Sequence, residues 1–288
     1  MSFIHIIYSV LAGIVQGITE WLPISSTGHL ILLDSLFGID SLSEEFKEMF
    51  DVVIQFGSIL AIVVLYFRRL NPFAPSKSKE EKKSTWLLWS KIVVAGVPAG
   101  IIGLLVNDVF DEVVLAKPRV YFIIAATLFI YGVIFIIIEK RNKNRAYRIT
   151  SPEDIDYKTA FGIGAFQILA LIPGTSRSGS TIIGSTALGV SRTAAAEFSF
   201  FLAIPMMLGA SGLKILKFVT EAGGIASALD PTELAVLAIG TVVSFLVSLV
   251  AVKFFVGFVR SHSFESFGWY RIALAAVVVV YFYFTVIK

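Results

Sequence analysis

The sequence predicts an all-α polytopic membrane protein, an inverted repeat in which each half is a re-entrant helix hairpin followed by three transmembrane helices. Of the 288 residues, 56% are hydrophobic and only 16% are charged. Soluble domains carry about 25% charged residues, so this chain lacks the polar surface of a soluble globule. Its 25 Phe residues also exclude a disordered chain, because disordered chains are poor in aromatic residues.

Six apolar runs have the length and composition of membrane-spanning helices, which need about 20 apolar residues each. We expect spans at residues 50–67, 92–109, 120–138, 194–216, 234–259 and 269–287.

Two further apolar stretches, residues 4–37 and 160–190, are interrupted by Gly, Pro and hydroxyl residues. Neither is typical of one continuous helix, so we predict that each is a helix pair meeting at an unwound centre. Irregular backbone is tolerated at membrane depth only where it is buried in protein or lines a wet cavity. Two such breaks in one small chain therefore indicate a functional site.

The basic residues predict the orientation. Loop 68–91 holds seven and loop 140–158 holds six of the 24 Lys and Arg residues, so we place both loops in the cytoplasm. We expect the tract Pro72 to Ser84 to be a solvated linker. Because the basic residues do not form an aromatic-laced patch, the net charge of +3 does not indicate a nucleic-acid partner. Cysteine is absent, which excludes disulfides and a thiol nucleophile. The first residues lack the features of a removable signal peptide.

The predicted organisation is a first repeat over 1–140, a basic loop over 141–158 and a second repeat over 159–288. Each repeat holds an odd number of spans, so the repeats run in opposite directions, as in many transporters. An offset of 150 residues aligns residues of the two breaks: Ile18 with Ile168, Pro23 with Pro173, Ser25 with Thr175, and Ser26 with Ser176.

The first break gathers several groups that can carry chemistry. Gln16 and Glu20 are four residues apart and share one helix face. A carboxylate in an apolar segment is costly, so Glu20 is a functional-site candidate, and His29 adds a second titratable group. Hydroxyl groups come from Ser25, Ser26 and Thr27. The alternative is that Glu20 and His29 cap helix ends at the water interface.

The second break, residues 173–181, contains Arg177, the only basic residue between Lys158 and Arg192. The start of a helix offers free N–H groups and a positive dipole end, and the planar guanidinium matches phosphate oxygens. Hydroxyl groups come from Ser176, Ser178 and Thr181. The alternative is a loop whose Arg reaches lipid headgroups.

Together the breaks fit phosphoryl chemistry on a lipid, in which an Arg and a helix end hold negative oxygens while a hydroxyl or imidazole attacks. Gln16 and Glu20 would offer a metal hard oxygen ligands, which favour Mg²⁺ or Ca²⁺. A transporter or flippase for a phosphorylated polyprenyl lipid is the alternative, because inverted repeats with broken helices are transporter architecture.

The motifs Gln16-Gly-Ile-Thr-Glu20, Pro23-Ile-Ser-Ser-Thr-Gly-His29 and Pro173-Gly-Thr-Ser-Arg-Ser-Gly-Ser-Thr181 resemble those of the bacterial undecaprenyl-diphosphatases, also called bacitracin-resistance proteins. The resemblance extends over most of the chain. It implies an enzyme of the bacterial inner membrane that uses a divalent cation to remove one phosphate from undecaprenyl diphosphate. This reaction recycles the cell-wall carrier lipid and confers bacitracin resistance.

The resemblance also implies roles for individual residues. The catalytic residues would be Glu20, Ser26, His29 and Arg177. The diphosphate-binding site would be lined by Gln16, Ser25, Thr27, Ser176, Ser178 and Thr181. Glu20 with Gln16 would hold the metal. Ser26 would attack the phosphorus while His29 or Glu20 takes the Ser26 proton. A phosphohistidine at His29 is the alternative. The leaflet that presents the substrate and a homodimeric state both stay open.

Overall fold

The computed structural model describes residues 3–37, 42–113, 119–143, 146–221 and 229–284, and these ranges are almost entirely helical. The first five α-helices are α1 (Phe3–Thr19), α2 (Ser26–Phe37), α3 (Glu44–Leu65), α4 (Phe67–Leu70) and α5 (Lys79–Val113). The others are α6 (Arg119–Asn142), α7 (Tyr157–Ile168), α8 (Arg177–Ala187), α9 (Arg192–Glu221), α10 (Pro231–Ser261) and α11 (Glu265–Phe282). Two short 3₁₀ turns, Pro152–Asp154 and Leu169–Leu171, flank α7.

Five of these helices are long and apolar enough to cross a membrane, counting the described residues only: α5, α6, α9, α10 and α11. Four of the six predicted spans lie within them. The predicted span 269–287 coincides with α11 as far as Phe282, and its residues 285–287 lie outside the described residues. These five helices make the chain a multi-pass membrane protein. The remaining predicted span, 50–67, lies mainly in α3. The apolar part of α3, Met49–Leu65, is shorter than the other five.

The prediction of a solvated linker from Pro72 to Ser84 is wrong at its C-terminal end, because α5 already begins at Lys79. The Ser78 hydroxyl accepts a hydrogen bond from the Glu81 N–H at 3.1 Å, and the Glu81 carboxylate accepts one from the Ser78 N–H at 2.7 Å. This reciprocal pair is a capping box, which satisfies N–H groups at the start of a helix. The charged residues that follow are good helix formers, so the helix extends into the basic segment.

Both predicted breaks interrupt helices. The first break, residues 20–25, separates α1 from α2, and the second, residues 172–176, separates the turn after α7 from α8. Each contains a proline, which lacks the N–H that a continuing helix would use. Each ends on a serine with left-handed backbone, Ser25 at φ 74° and Ser176 at φ 72°.

The helices of the hairpins pack closely against long helices of the other half: α1 lies along α10, and α7 lies along α5. Without a hydrophobic driving force in lipid, such contacts depend on small residues that let backbones approach. Gly164 is the tightest example, since a Cβ atom built there would lie 2.1 Å from the Ala95 carbonyl oxygen. The α6 and α11 helices pair in the same way, and α3 packs on α9 and α10.

The two basic loops meet on one face of the bundle. The Arg69 guanidinium lies 2.7 Å from the Glu153 carboxylate and 2.8 Å from the Glu197 carboxylate, joining α4, the turn before α7, and α9. Burial alone would raise the pKa of Glu153, but hydrogen bonds from Arg69 and Ser151 outweigh it and lower that pKa to about 2. The ion pair thus holds the loop between the halves against the first basic segment.

We expect Gly164→Ala to lower the thermal unfolding temperature of the protein in detergent, because its methyl group would collide with the α5 backbone. Overpacking of this kind costs about 1–3 kcal/mol. Gly212→Ala is the matched control. Nothing lies within 4 Å of a Cβ atom at Gly212 in α9, so the exchange should leave the unfolding temperature unchanged or raise it slightly. Equal unfolding temperatures for the two variants would contradict the close packing of α7 on α5.

Candidate functional site

The two breaks lie against each other inside the bundle, and Glu20 is at their junction. One carboxylate oxygen of Glu20 lies 2.8 Å from Nη2 of Arg177. The other accepts hydrogen bonds from the Ser26 hydroxyl at 2.9 Å and from the Gln16 amide at 3.0 Å. Glu20 is 7% exposed. A buried carboxylate is stable only when it is paired and hydrogen-bonded, and these three donors provide that environment.

Arg177 begins α8 and is held by α9 and by the first break. Nη1 donates to the Ser199 carbonyl at 2.8 Å, and Nη2 donates to the Met207 sulfur at 3.3 Å as well as to Glu20. Its guanidinium also lies over the Trp21 ring, 5.8 Å from the ring centroid. The cation therefore has a fixed position at the N-terminus of a helix, where backbone N–H groups and the helix dipole favour an anion.

Ser26 is paired with Glu20, which bears on the open choice of base. Because a carboxylate is acceptor-only, the Ser26 hydroxyl must be the donor in their 2.9 Å hydrogen bond. A hydroxyl that already donates to a carboxylate needs no other group to take its proton. Ser26 is the first residue of α2 and is partly exposed, so the oxygen can be reached from outside the bundle.

His29 faces other groups. Its Nδ1 lies 2.7 Å from the Ser25 carbonyl oxygen, and its Nε2 lies 2.7 Å from the Tyr270 hydroxyl. A carbonyl can only accept, so Nδ1 carries the proton in the neutral ring and Nε2 accepts from Tyr270. The His29 and Tyr270 rings are also stacked, with centroids 5.7 Å apart. Sequence reasoning missed Tyr270, because it looks like an ordinary interfacial aromatic at the start of an apolar run.

The hydroxyl residues of the second break shape the start of α8. Ser176 accepts the Gly179 N–H at 3.1 Å and lies 3.0 Å from the Ser178 hydroxyl. Ser178 reaches the Glu20 and Leu22 carbonyls at 3.4 and 3.3 Å, so it connects the second break to the first.

The other predicted substrate-binding hydroxyls differ in their surroundings. Thr181 is buried, donates to the Arg177 carbonyl and lies 2.7 Å from the Ser199 hydroxyl, one turn into α8. Ser25 is buried and accepts the Gly28 N–H at 3.4 Å. Thr27 is exposed to solvent or lipid. The predicted site residues therefore form a cluster around Glu20 and Arg177, with Thr27 on its open side.

The predicted metal ligands are compatible with a hard cation. Gln16 uses its amide N–H on Glu20, which leaves its carbonyl oxygen, Oε1, buried without a hydrogen-bond partner. An orphaned buried oxygen beside a carboxylate is a suitable pair of ligands for Mg²⁺ or Ca²⁺. Across the described residues, no group of three His, Cys, Asp or Glu side chains comes together. A cation here would therefore need additional oxygens from substrate or water, as Mg²⁺ sites commonly do.

Arg271 is the second residue that sequence reasoning missed. It belongs to the predicted span 269–287, to which we gave no role beyond crossing the membrane, yet its guanidinium lies between the two breaks. It donates to the carbonyls of Pro23, Gly174 and Thr175 at 2.8–3.1 Å. The available signal was a single charged residue inside an apolar segment, which is a functional-site hypothesis by default.

Comparison with known proteins points to one family. The family model described as bacitracin resistance protein BacA matches residues 9–277. An undecaprenyl-diphosphatase of Enterococcus faecalis is 50% identical over 285 residues, which cover 99% of this chain and 100% of the relative. One from Lactiplantibacillus plantarum is 48% identical over 97% of this chain and 98% of its own. Undecaprenyl-diphosphatase 1 of Clostridioides difficile is 50% identical over 98% of both chains.

Proposed function

The chain belongs to the bacitracin resistance protein BacA family, and from this premise we propose that it hydrolyses undecaprenyl diphosphate to undecaprenyl phosphate and inorganic phosphate. The observation that carries the proposal is the buried contact of Ser26, Glu20 and Arg177. It brings together a hydroxyl that can attack, a carboxylate that can accept its proton and a guanidinium that can bind phosphate oxygens. Binding of an anion alone gains nothing from a nearby carboxylate and its bonded hydroxyl, unless a cation or proton is transported with it, so the site favours hydrolysis over transport.

In the proposed reaction the Ser26 oxygen attacks the terminal phosphorus of the lipid diphosphate, and Glu20 accepts the hydroxyl proton. The bond from that phosphorus to the bridging oxygen breaks, and undecaprenyl phosphate leaves. Glu20 then passes that proton to the departing undecaprenyl phosphate. Water attacks the phosphoserine, Glu20 accepts a proton from the water and gives it to the Ser26 oxygen as the bond from that oxygen to phosphorus breaks, and phosphate is released. Arg177 and the free N–H groups at the starts of α2 and α8 bind the phosphate oxygens and offset the negative charge of the transition state.

We assign His29 a supporting role in this reaction. Both of its ring nitrogens are engaged, by the Ser25 carbonyl and the Tyr270 hydroxyl, whereas Ser26 is bonded directly to a base. A phosphohistidine at His29 would first require the ring to break one of these contacts. From its place three residues after Ser26, His29 is suited to fixing the backbone of the first break and to exchanging protons with Tyr270.

We also propose that Glu20 and Gln16 hold a divalent cation, Mg²⁺ or Ca²⁺, together with oxygens of the substrate. The support is the unpartnered Gln16 Oε1 beside the Glu20 carboxylate. The cation would neutralise charge on the diphosphate when bound. Gln16 itself orients Glu20 through its amide N–H, whether or not a cation is present.

The architecture we propose is the inverted repeat, with the first unit at 1–140 and the second at 159–288. Its support is the exchange symmetry of the packing: α1 lies on α10 as α7 lies on α5, and α6 with α11 and α3 with α9 pair across the halves. Ser25 and Ser176 share the left-handed backbone, so we set the repeat offset at 151 residues rather than 150. This offset also aligns Gln16 with Gln167.

We propose that the protein lies in the bacterial inner membrane and that both of its basic loops face the cytoplasm. The contact of Arg69 with Glu153 supports a common side for the loops, and their Lys and Arg content supports the cytoplasmic side. The proposed substrate is a membrane lipid, and the proposal includes no nucleic-acid partner. The protein could carry out this reaction as a homodimer.

The first test is phosphate release from undecaprenyl diphosphate by purified protein in detergent. The wild type should release phosphate, and Ser26→Ala should lower kcat at least about 1,000-fold, because removing a nucleophile eliminates the covalent route. Ser35→Ala is the matched control: Ser35 lies on the same helix and is exposed, and its hydroxyl donates to the Ile31 and Leu32 carbonyls of that helix, so the turnover of the variant should equal that of the wild type. Normal turnover in Ser26→Ala with loss in His29→Ala would transfer the nucleophile to His29.

The cation proposal is tested by titrating Mg²⁺ into chelator-treated protein and measuring phosphate release. We expect Gln16→Met to raise the half-saturating Mg²⁺ concentration by about tenfold or more, because a ligand oxygen is lost while the side-chain volume is kept. Gln167→Met is the control. Gln167 is also buried and its amide has no hydrogen-bond partner, but the residue four positions later is Leu171, whereas Gln16 is followed four positions later by Glu20. The same shift in both variants would contradict cation binding at Gln16.

The orientation is tested with single cysteines, because the chain has none of its own. Ser76→Cys, in the first basic loop, should react with a membrane-impermeant thiol reagent only after the cells are permeabilised. Thr220→Cys, exposed near the other end of α9, should react in intact cells. The reverse pattern would place the basic loops outside the cell.

A further inference from the structure

Arg271 is a charged side chain with 0% exposure, placed in the middle of the protein. None of the ion pairs formed by the described residues includes it. Withdrawing an unpaired charge from water is among the most costly events in folding unless hydrogen bonds compensate for it. The groups that surround Arg271 must therefore compensate for the burial of its charge, and they indicate its role.

Those groups are backbone carbonyls from both breaks. Nη1 donates to the Pro23 oxygen at 3.1 Å, and Nη2 donates to the Gly174 and Thr175 oxygens at 2.8 and 3.0 Å. The Tyr131 ring lies 5.4 Å from the guanidinium carbon and adds a cation–π contact. A guanidinium is planar and rigid, so three bonds from its two terminal nitrogens fix the separation of the two breaks as well as their orientation.

The bonded carbonyls lie directly before the two helix starts that carry the chemistry. Pro23 precedes Ser26 by three residues, and Thr175 precedes Arg177 by two. Both segments are unwound. The Glu20 N–H still completes α1 by donating to the Gln16 carbonyl at 3.1 Å, and the Thr175 N–H closes a turn on the Ile172 carbonyl at 3.3 Å. Arg271 donates hydrogen bonds to backbone carbonyls of both segments at once.

We propose that Arg271 is a positioning residue of the phosphatase site, holding the two breaks in register so that Ser26 and Arg177 address the same phosphorus atom. The inference rests on the proposed function. Arg271 acts through the backbone: three of its N–H groups are committed to carbonyls, and its full burial keeps it from substrate. It also lends a positive charge to a site where Glu20 already neutralises Arg177, and a net positive site attracts a diphosphate.

The test is a double-mutant cycle on the kinetics of phosphate release from undecaprenyl diphosphate, with Arg271→Lys, Arg177→Lys and the double variant. Lysine keeps the charge, but a single ammonium cannot span carbonyls on two segments. We expect Arg271→Lys to lower kcat about 10- to 100-fold, since a displacement near 1 Å has that effect. KM should stay within about threefold, because ground-state binding is retained. The double variant should be within about threefold of the slower single variant, because residues that act as a unit are not additive.

Arg192→Lys is the matched control. Arg192 is a partly buried Arg whose guanidinium pairs with Glu139 and, among the described residues, bonds to neither break, so kcat should match the wild type. If Arg271 were only structural, its loss would lower the folded fraction, and the two losses would multiply in the double variant. Multiplied losses, or a near-normal kcat in Arg271→Lys, overturn the positioning role while the phosphatase activity stands. A wild type that releases no phosphate overturns both.

Discussion

The rest of the site depends on one buried ion pair, between Glu20 in the first break and Arg177 in the second. Burial of either charge alone would strongly destabilise the folded protein. As a pair, the two charges join chain segments 157 residues apart. Once the pair forms, the other contacts follow from it. Ser26 and Gln16 complete the carboxylate's hydrogen bonds, and the Ser199 carbonyl completes those of the guanidinium.

The pair also explains why the helices are broken. A continuous helix satisfies its own backbone and leaves no N–H group free for a ligand. The two breaks, which meet at Glu20 and Arg177, create new helix N-termini at α2 and α8. The carbonyls left over in the breaks then need donors, and Arg271 and Ser178 provide them. The breaks are therefore costly in isolation and mutually stabilising once they meet.

Much of this could be predicted from sequence because the signals are local. Membrane spans are long apolar runs, and Glu20 and Arg177 are conspicuous charges within apolar segments. The sequence predicts either Glu20 or His29 as the acceptor of the Ser26 proton, and it can include Glu20 because Glu20 and Ser26 lie within seven residues of each other. Tyr270 and Arg271 could not be placed, because their partners lie about 100–250 residues away in the chain. The start of α5 was misjudged for a different reason: a charged tract resembles a linker until its capping box is recognised.

The left-handed serines that end both breaks have a consequence for how such a sequence can change over time. A non-glycine residue in that conformation costs about 1–3 kcal/mol, so glycine would be the more comfortable residue at Ser25 and Ser176. Glycine would also delete the hydroxyl that accepts the N–H of the third residue of the following helix, Gly28 or Gly179. Under the proposed function both hydroxyls line the substrate site, so selection for thermostability and selection for turnover would act in opposite directions at these two positions. Laboratory evolution under heat alone should drift there first, towards a sturdier and slower protein.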